Sequence, residues 1–582
     1  MCGISGIFGN NVDEQDVDSM VNALNHRGPD STNKYINNKK SIGLGHNRLK
    51  IIDLSSAGNQ PMFNQDKSLV LVFNGEIYNY KELYKYFPNY SFRSNSDSEL
   101  ILAAYQKWGE KCLNYFVGMF SFALWDEKNQ VLFCARDRFG VKPFYYSNHK
   151  DNFYFASEIK AIHAAGLPKI FNEKTWATYF TFGLYEHSKD TFYEKINSLP
   201  PGHCIIVEKN SLSIKQWYKI SSNVEVEYDQ RTELEVKESY KKLLNESIKL
   251  RFRSDVPVAV NLSGGLDSSI LLKLIDNYVE KDKCLTAFTF ATGDARYDEI
   301  KWASMMLKST NHKHEICYLS AEEIPDLAVE IQNSQDEPFG GFPTLAYSKI
   351  FKRAKEMGLK VLLDGQGMDE QWAGYDYYKK YVGDNSRNIP QYVSGPVQNS
   401  SKSLKYKDYL NHDFTSSAKP FKIIYHFDDS LRNLQFRDSF FTKIPRALRF
   451  NDRISMKYST ELREPFLDHR LFELAFQQKP SYKIRSNVQK WFLRDILKDL
   501  GPKEVINAPK RPLQTPQREW IKGPLKDWVN DCISNVLNEY GGNWFNKKIL
   551  LNEWNDYQKN NIDNSFHIWQ LINLSMMKEL IK

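Results

Sequence analysis

The second residue is a cysteine, preceded by one methionine and followed by a glycine. A methionine beside a small residue is expected to be removed, which would leave Cys2 with a free α-amine. Such an amine has an ordinary pKa of about 7.7–8.0, close to working pH. It can take the proton from the neighbouring thiol and return it later, so one residue supplies both nucleophile and base. A second kind of chemistry is written in NLSGGLDSS (261–269), which follows the apolar run VPVAV and opens a helical pattern. Glycines between a strand and a helix let backbone N–H groups and the helix dipole face an anion. No lysine follows these glycines, so this is not the GxxxxGK[ST] loop.

Elements must hold these groups in place, and the chain is long enough for more than one core. Its 582 residues exceed the ~250–300 at which a single core stops growing, so at least two domains are expected. Hydrophobic residues make up 41% and charged residues 26%, which suits a folded globular protein and argues against disorder. No apolar run nears the ~18 residues of a membrane span, and MCGISGIFGN does not read as a signal peptide. Cytoplasmic residence is expected, with no membrane partner. The net charge of +7 is scattered, which argues against a nucleic-acid surface. The seven cysteines (2, 112, 134, 204, 284, 317 and 532) are odd in number and include no CxxC pair. Neither a disulfide framework nor a structural zinc site is expected. A homodimer is among the assemblies the sequence allows.

The two halves differ in pattern. LVLVF (69–73), MFSFALWD (119–126), QVLFCARD (130–137) and NFYFAS (152–157) read as strands separated by turns. Val17, Met20, Val21 and Leu24 have helical spacing, and Ser96 with Glu99 predicts a capping box opening a second helix. The polar run SSNVEVEYDQRTE (221–233) reads as part of a linker. Beyond it VPVAV (256–260), LTAFTF (285–290) and LKVLL (359–363) alternate with helical runs, the pattern of parallel βαβ units. After about residue 420 the pattern is mostly helical. The Tyr-, Lys-, Ser- and Asn-rich stretch from Tyr375 to Ser417 predicts an irregular insertion, part of a long segment running to about residue 455.

The ordered strings MCGISGIFG, HRGPDS (26–31), HNRLKIIDLSSAGNQPM (46–62), FNGEIYNY (73–80), SNSDSE (94–99), DRFGVKPFYY (137–146) and FASEIKA (155–161) together resemble the glutamine amidotransferase domain of asparagine synthetases. The resemblance implies roles for matching positions. Arg48 offers a planar fork to the substrate α-carboxylate and Asp97 an opposite charge to its amine. Asn74 and the Gly75 backbone N–H would hold the oxyanion formed when Cys2 attacks, and Glu76 would help to bind glutamine.

SGGLDSS resembles the pyrophosphate loop of ATP pyrophosphatases, with Leu262, Ser263, Gly264, Gly265, Asp267, Ser268 and Ser269 around the nucleotide. DGQGMDEQWAGY (364–375) is similar to the second ATP-site motif of the same family and brings Asp364, Gly365 and Gln366 to that site. Asp267 and Asp369 match carboxylates that hold magnesium, an ion suited to hard oxygen ligands near phosphates. SMKYSTELREPFLDHRLFELAF (455–476) resembles a helical segment shaping the acceptor pocket, and QKWFLRD (489–495) places Lys490 at the reacting phosphate.

The implied architecture is an α+β amino-terminal-nucleophile sandwich (αββα) over 2–210, a linker over 211–233, and an α/β parallel-sheet ATP-pyrophosphatase domain with a helical carboxyl-terminal part over 234–582. The implied reaction hydrolyses glutamine at Cys2 and passes ammonia to a site where MgATP adenylates aspartate, releasing AMP and pyrophosphate. Gln366 stands where the family has glutamate, and Asp364 where it has serine. That departure leaves room for another acceptor carboxylate, such as a uronic-acid sugar. A third reading is a glutaminase carrying a regulatory nucleotide-binding module.

Overall fold

A computed structural model describes residues 1–209, 211–279, 284–384, 386, 389, 407–498, 501–508, 514–559 and 565–579. Residue 210, the expected end of the first domain, and 385, 387–388 and 390–406, within the expected insertion, lie outside the described residues. The first half supplies β1 (Gly3–Phe8), β2 (Ser31–Ile36), β3 (Ile42–Arg48), β4 (Met62–Phe63), β5 (Leu69–Ile77) and β6 (Gly118–Asp126). It continues with β7 (Val131–Arg136), β8 (Tyr145–His149), β9 (Asn152–Ala156), β10 (Asn197–Ser198), β11 (His203–Glu208) and β12 (Ser211–Gln216). They form two six-stranded antiparallel sheets, ordered β10-β8-β9-β1-β3-β2 and β12-β11-β7-β6-β5-β4.

The central strands are apolar on both faces because each sheet is covered twice, while the edge strands β2 and β12 are largely exposed. Ile4, Phe8, Val70, Val72, Ala123 and Trp125 meet between the sheets. On β5 the alternate residues Leu69, Leu71 and Phe73 face outward and share a core with Leu100 and Ile101 of helix Asp97–Trp108. On the other side Val17, Met20 and Val21 of helix Glu14–Ala23 cover Ile7 and Ala156. The result is the αββα sandwich. Ser96 caps its helix by accepting from Ser98 N–H, but Glu99 turns away, its carboxylate taking the N–H groups of Arg93 and Ser94. No reciprocal box forms there. One does form at Thr232 and Glu235, opening helix Glu233–Arg251.

The expected linker is more ordered than its composition suggests. Residues 211–216 are β12, an exposed edge strand paired to β11. The chain then lies against helix His469–Phe476, where Tyr218 Oη and Asn223 Nδ2 donate to Glu473 Oε1 at 3.1 and 2.8 Å.

In the second half β13 (Val258–Asn261), β14 (Thr286–Ala291), β15 (Lys313–Tyr318), β16 (Val361–Leu363) and β17 (Glu461–Arg463) form one parallel sheet, ordered β15-β14-β13-β16-β17. The chain moves outward from β13 through β15 and returns on its other side with β16. The strand order reverses between β13 and β16, the place where open α/β sheets bind ligands. β17 corrects the helical expectation for 455–476. Helix Ile444–Lys457 ends there, a strand intervenes, and helix His469–Phe476 follows. The carboxyl-terminal part is helical. Its helix Phe566–Glu579 reaches the first half, where Asn573 Nδ2 donates to Tyr179 Oη at 3.1 Å.

Candidate active sites

The first candidate site gathers where β1, β3 and β5 approach one another. Pairing of Gly3 with Asn47 sets the amino terminus beside Arg48. Cys2 is buried, and its backbone N–H donates to Asn74 Oδ1 at 3.0 Å. Burial raises the thiol pKa, while the chain's terminal ammonium, Leu49 N–H and Arg48 oppose the rise. His46, behind this point, bonds to the Phe73 carbonyl at 3.2 Å and stays neutral, burial pushing it down to about 3.

Gly75 cannot carry a side chain. Its φ is +154°, and a Cβ would lie 2.1 Å from the Met119 carbonyl oxygen. Arg48 stands beside Cys2, but its fork is engaged with the neighbouring loop. Nη1 donates to Ser55 O at 2.7 Å and Asn59 Oδ1 at 2.8 Å, and Nη2 donates to Ile52 O and Asp53 O. Asp97 accepts from Ile77 N–H at 2.7 Å, and burial raises it to about 7. Glu76 is also raised by burial, with Glu461 and Asp97 adding repulsion.

Several charged residues at this site escaped the sequence reading because their partners are remote. Arg463 of β17 pairs with Glu76 at 3.3 Å and with Glu461. The terminal ammonium on Met1 meets Glu461 at 3.1 Å, both buried. Burial alone would raise Glu461, but Arg463 and that ammonium hold it below its ordinary value. Arg27, inside HRGPDS, donates to the Cys2 carbonyl at 3.1 Å, to Glu158 at 2.7 Å and to Asp452 at 2.9 Å.

The second candidate site is a cavity of about 490 Å³ at the carboxyl ends of β13 and β16. Leu262 is buried and anchored to β14 by its N–H to Phe288 O at 2.8 Å. Gly265 N–H donates to Ser263 Oγ at 3.2 Å, and Ser263 N–H to Ser268 Oγ at 3.3 Å. Gly264 has φ +74°, and a Cβ there would strike Ala303 N at 2.5 Å. Helix Leu266–Asp276 follows with no side-chain cap, and its first residues Leu266, Asp267 and Ser268 line the cavity. Ser269 is fully buried behind Ser268 and does not line the cavity.

Asp364, Gly365 and Gln366 close the other side. Burial raises Asp364 to about 6, although Gly365 N–H and Tyr347 stabilise its charge. Lys490 bridges the two carboxylates read as metal ligands, with Nζ 2.6 Å from Asp267 and 2.6 Å from Asp369. Burial would lower its pKa, but the two carboxylates reverse this and hold it above the ordinary value. Among the described residues no cluster of three or more His, Cys, Asp or Glu side chains is arranged to hold a metal. No described helix is long and apolar enough to cross a membrane.

The structure therefore holds a buried cysteine site and a glycine-loop cavity in one chain, the arrangement expected of a two-site amidotransferase. Residues 1–218 match the family described as glutamine amidotransferase domain, and residues 239–580 match the family described as asparagine synthase. A putative glutamine-hydrolysing asparagine synthetase of Methanocaldococcus jannaschii is 35% identical over 68% of this chain and 79% of its own. A glutamine-hydrolysing asparagine synthetase of Bacillus subtilis is 27% identical over 98% of this chain and 95% of its own. Amidase chry2 of Gibberella zeae is 27% identical over 89% and 88%. The chain belongs to the asparagine synthase family. It is an ATP-dependent carbon–nitrogen ligase that draws nitrogen from glutamine and uses a carboxylate as acceptor.

Proposed function

We propose that the acceptor is aspartate and the product asparagine. Cys2, freed of Met1, attacks the glutamine amide, with Asn74 and Gly75 N–H stabilising the oxyanion. Arg48, Glu76 and Asp97 bind the glutamine backbone and set its orientation. Ammonia leaves, and water releases glutamate from the thioester. In the second cavity Leu262, Ser263, Gly264, Gly265, Ser268, Ser269 and Gly365 form or support the nucleotide loop, while Asp364 and Gln366 border the acceptor. The acceptor carboxylate attacks the α-phosphate, pyrophosphate leaves, and ammonia displaces AMP from the acyl-adenylate. Lys490 stabilises charge on the phosphates.

The carrying observation is the cation bridge. Asp267 and Asp369 converge on the one ammonium of Lys490 at the mouth of the loop. Two carboxylates so placed fit Mg²⁺, which would supply charge neutralisation to the phosphates. The domain division at 2–210, 211–233 and 234–582, cytoplasmic residence and a homodimeric assembly belong to the same proposal.

A second reading is supported by Gln366 and Asp364: the same chemistry on another carboxylate, such as a uronic-acid sugar. Pyrophosphate release with glutamine, MgATP and a panel of carboxylates decides between them. Formation of asparagine and AMP supports the first reading. Activity on a sugar carboxylate and none on aspartate overturns it. No acceptor-dependent pyrophosphate with any compound would support a glutaminase with a regulatory nucleotide module.

A further inference from the structure

Helix Ile444–Lys457 begins against its own dipole. Its N-cap is Lys443, Arg446 lies in its first turn, and that turn carries no acidic residue. A helix N-terminus favours anions and disfavours cations. Both side chains line the second cavity, together with Tyr375. Lys443 Nζ lies 5.2 Å from the Tyr375 ring and 5.8 Å from the Tyr377 ring, and the Arg446 guanidinium lies 5.9 Å from the Tyr185 ring. Neither cation forms an ion pair with a carboxylate among the described residues. Burial first, then repulsion from Arg446, lowers Lys443 to about 7, with Asp438 and Glu370 opposing. Two half-buried cations side by side, neither neutralised by a carboxylate, repel each other, and an anion bound between them removes that repulsion.

The cations and the glycine loop come from different elements around one cavity. The nucleotide loop and Phe288 and Phe290 lie on the β13 and β14 side of the cavity. Helix Ile444–Lys457 leads into β17, on the opposite side beyond β16. Lys490 and the Asp267–Asp369 pair stand at the loop. The cations therefore enter the cavity from an element separate from the glycine loop, on the Tyr375 side of the Lys490 bridge, where a second anionic group would be held apart from the loop.

We propose that Lys443 and Arg446 form an anion subsite that makes the acceptor a dianion, one carboxylate to be activated and a second carboxylate or phosphate to be held. This rests on the ligase reading. Arg446 presents a planar fork matched to carboxylate or phosphate, and Lys443 adds a point charge. Aspartate meets the requirement through its α-carboxylate. A uronic acid meets it only when it also carries a phosphate.

The test uses the full-length enzyme, MgATP and ammonium chloride, with aspartate, glucuronate and glucuronate 1-phosphate as acceptors. The better of the two dianions is expected to exceed monoanionic glucuronate by at least tenfold in kcat/KM. Arg446→Gln and Lys443→Met are each expected to remove most of that preference, raising KM for the dianion at least tenfold. KM for ATP and the glutaminase rate should stay within about twofold, which also shows that the variants fold. Equal losses for mono- and dianionic acceptors, or a preference for glucuronate, would overturn the subsite. Binding of each acceptor by calorimetry, with a non-hydrolysable ATP analogue present, separates the two levels. If no acceptor yields pyrophosphate but Arg446→Gln still weakens dianion binding, the ligase reading fails and the subsite stands. If dianion binding is absent or unchanged by Arg446→Gln, the subsite falls whatever the catalytic result.

Discussion

Replacing Lys490 by methionine removes an ammonium while keeping most of the side-chain volume. Carboxylates that share one ammonium at 2.6 Å each stand about 5 Å apart, and bare unit charges at that separation repel by about 3 kcal/mol at an effective dielectric of 20. Asp267 and Asp369 are 19% and 22% exposed, so solvent in the cavity screens this to about 1–2 kcal/mol. For a unit of this size such a loss lowers Tm by about 2–4 °C. Magnesium should then bind between the freed carboxylates and restore the loss, because binding to the folded state alone stabilises it. Differential scanning calorimetry of Lys490→Met, with and without magnesium chloride, reads both effects. Pyrophosphate release should fall by at least ~100-fold, the usual scale for a group opposite developing charge, while glutamine hydrolysis stays unchanged. A variant as stable as its parent without magnesium would show that the carboxylates do not repel as calculated. A variant destabilised as calculated but not restored by magnesium would show that the pair is not a divalent-cation site.

Cys2→Ala should abolish glutamine use yet leave synthesis from added ammonia, read as amide formation with each nitrogen source. Loss of both would refute the division into two sites. Gly75→Ala should reduce glutaminase activity by at least ~100-fold, since the new methyl cannot coexist with the Met119 carbonyl at 2.1 Å without moving the oxyanion donor. Its ammonia-dependent rate should be retained. In the proposed site Asp97 binds the substrate amine, so the KM for glutamine should rise about tenfold for each pH unit below about 7 as its carboxylate is protonated. Folding runs the other way. A carboxyl raised by burial contributes stability that is full below about pH 4 and is lost as pH rises through about 7. A flat KM between pH 6 and 8 would remove Asp97 from the glutamine site.

Local signals were readable and remote ones were not. Cys2, Asn74, Gly75 and Asp97 sit in short strings that the structure brings to one place, and the strand runs at 69–73 and 119–126 announce themselves by composition. β17 did not. Two of its three residues are charged, and a strand so short and polar carries no period. Its charges pair with each other and with remote groups, Arg463 with Glu76 and Glu461 with the terminal ammonium, contacts no local pattern encodes. β12 was hidden for the opposite reason. All six of its residues are exposed, and its two alternating apolar residues, Leu212 and Ile214, are too few to stand out from the polar run that follows. Serine followed three residues later by glutamate suggested a box at Ser96, where Glu99 had better donors in Arg93 and Ser94. The same chemistry closed at Thr232, where no such competitor intervened.

The placement of β17 bears on how one chain keeps two sites in register. Within the strand, Glu461 and Arg463 face the Cys2 site and neutralise Glu76 and the terminal ammonium. The next residue, Glu464, is buried between Lys142 of the first half and Asp364 at the floor of the second cavity, and burial raises it to about 8. Asp364 is tied to the same strand by its N–H to the Arg463 carbonyl at 2.9 Å. Arg27 makes a parallel link, joining the Cys2 carbonyl to Asp452 on the helix that carries Arg446. Buried charges of this kind contribute little net stability, because desolvation offsets their attraction, but they penalise any displacement that separates the partners. A shift of the two halves would strand several charges at once. The interface therefore holds the two candidate sites in one geometry, and substitutions at Arg463 or Asp452 should disturb both reactions together where Cys2 and Lys490 each disturb one.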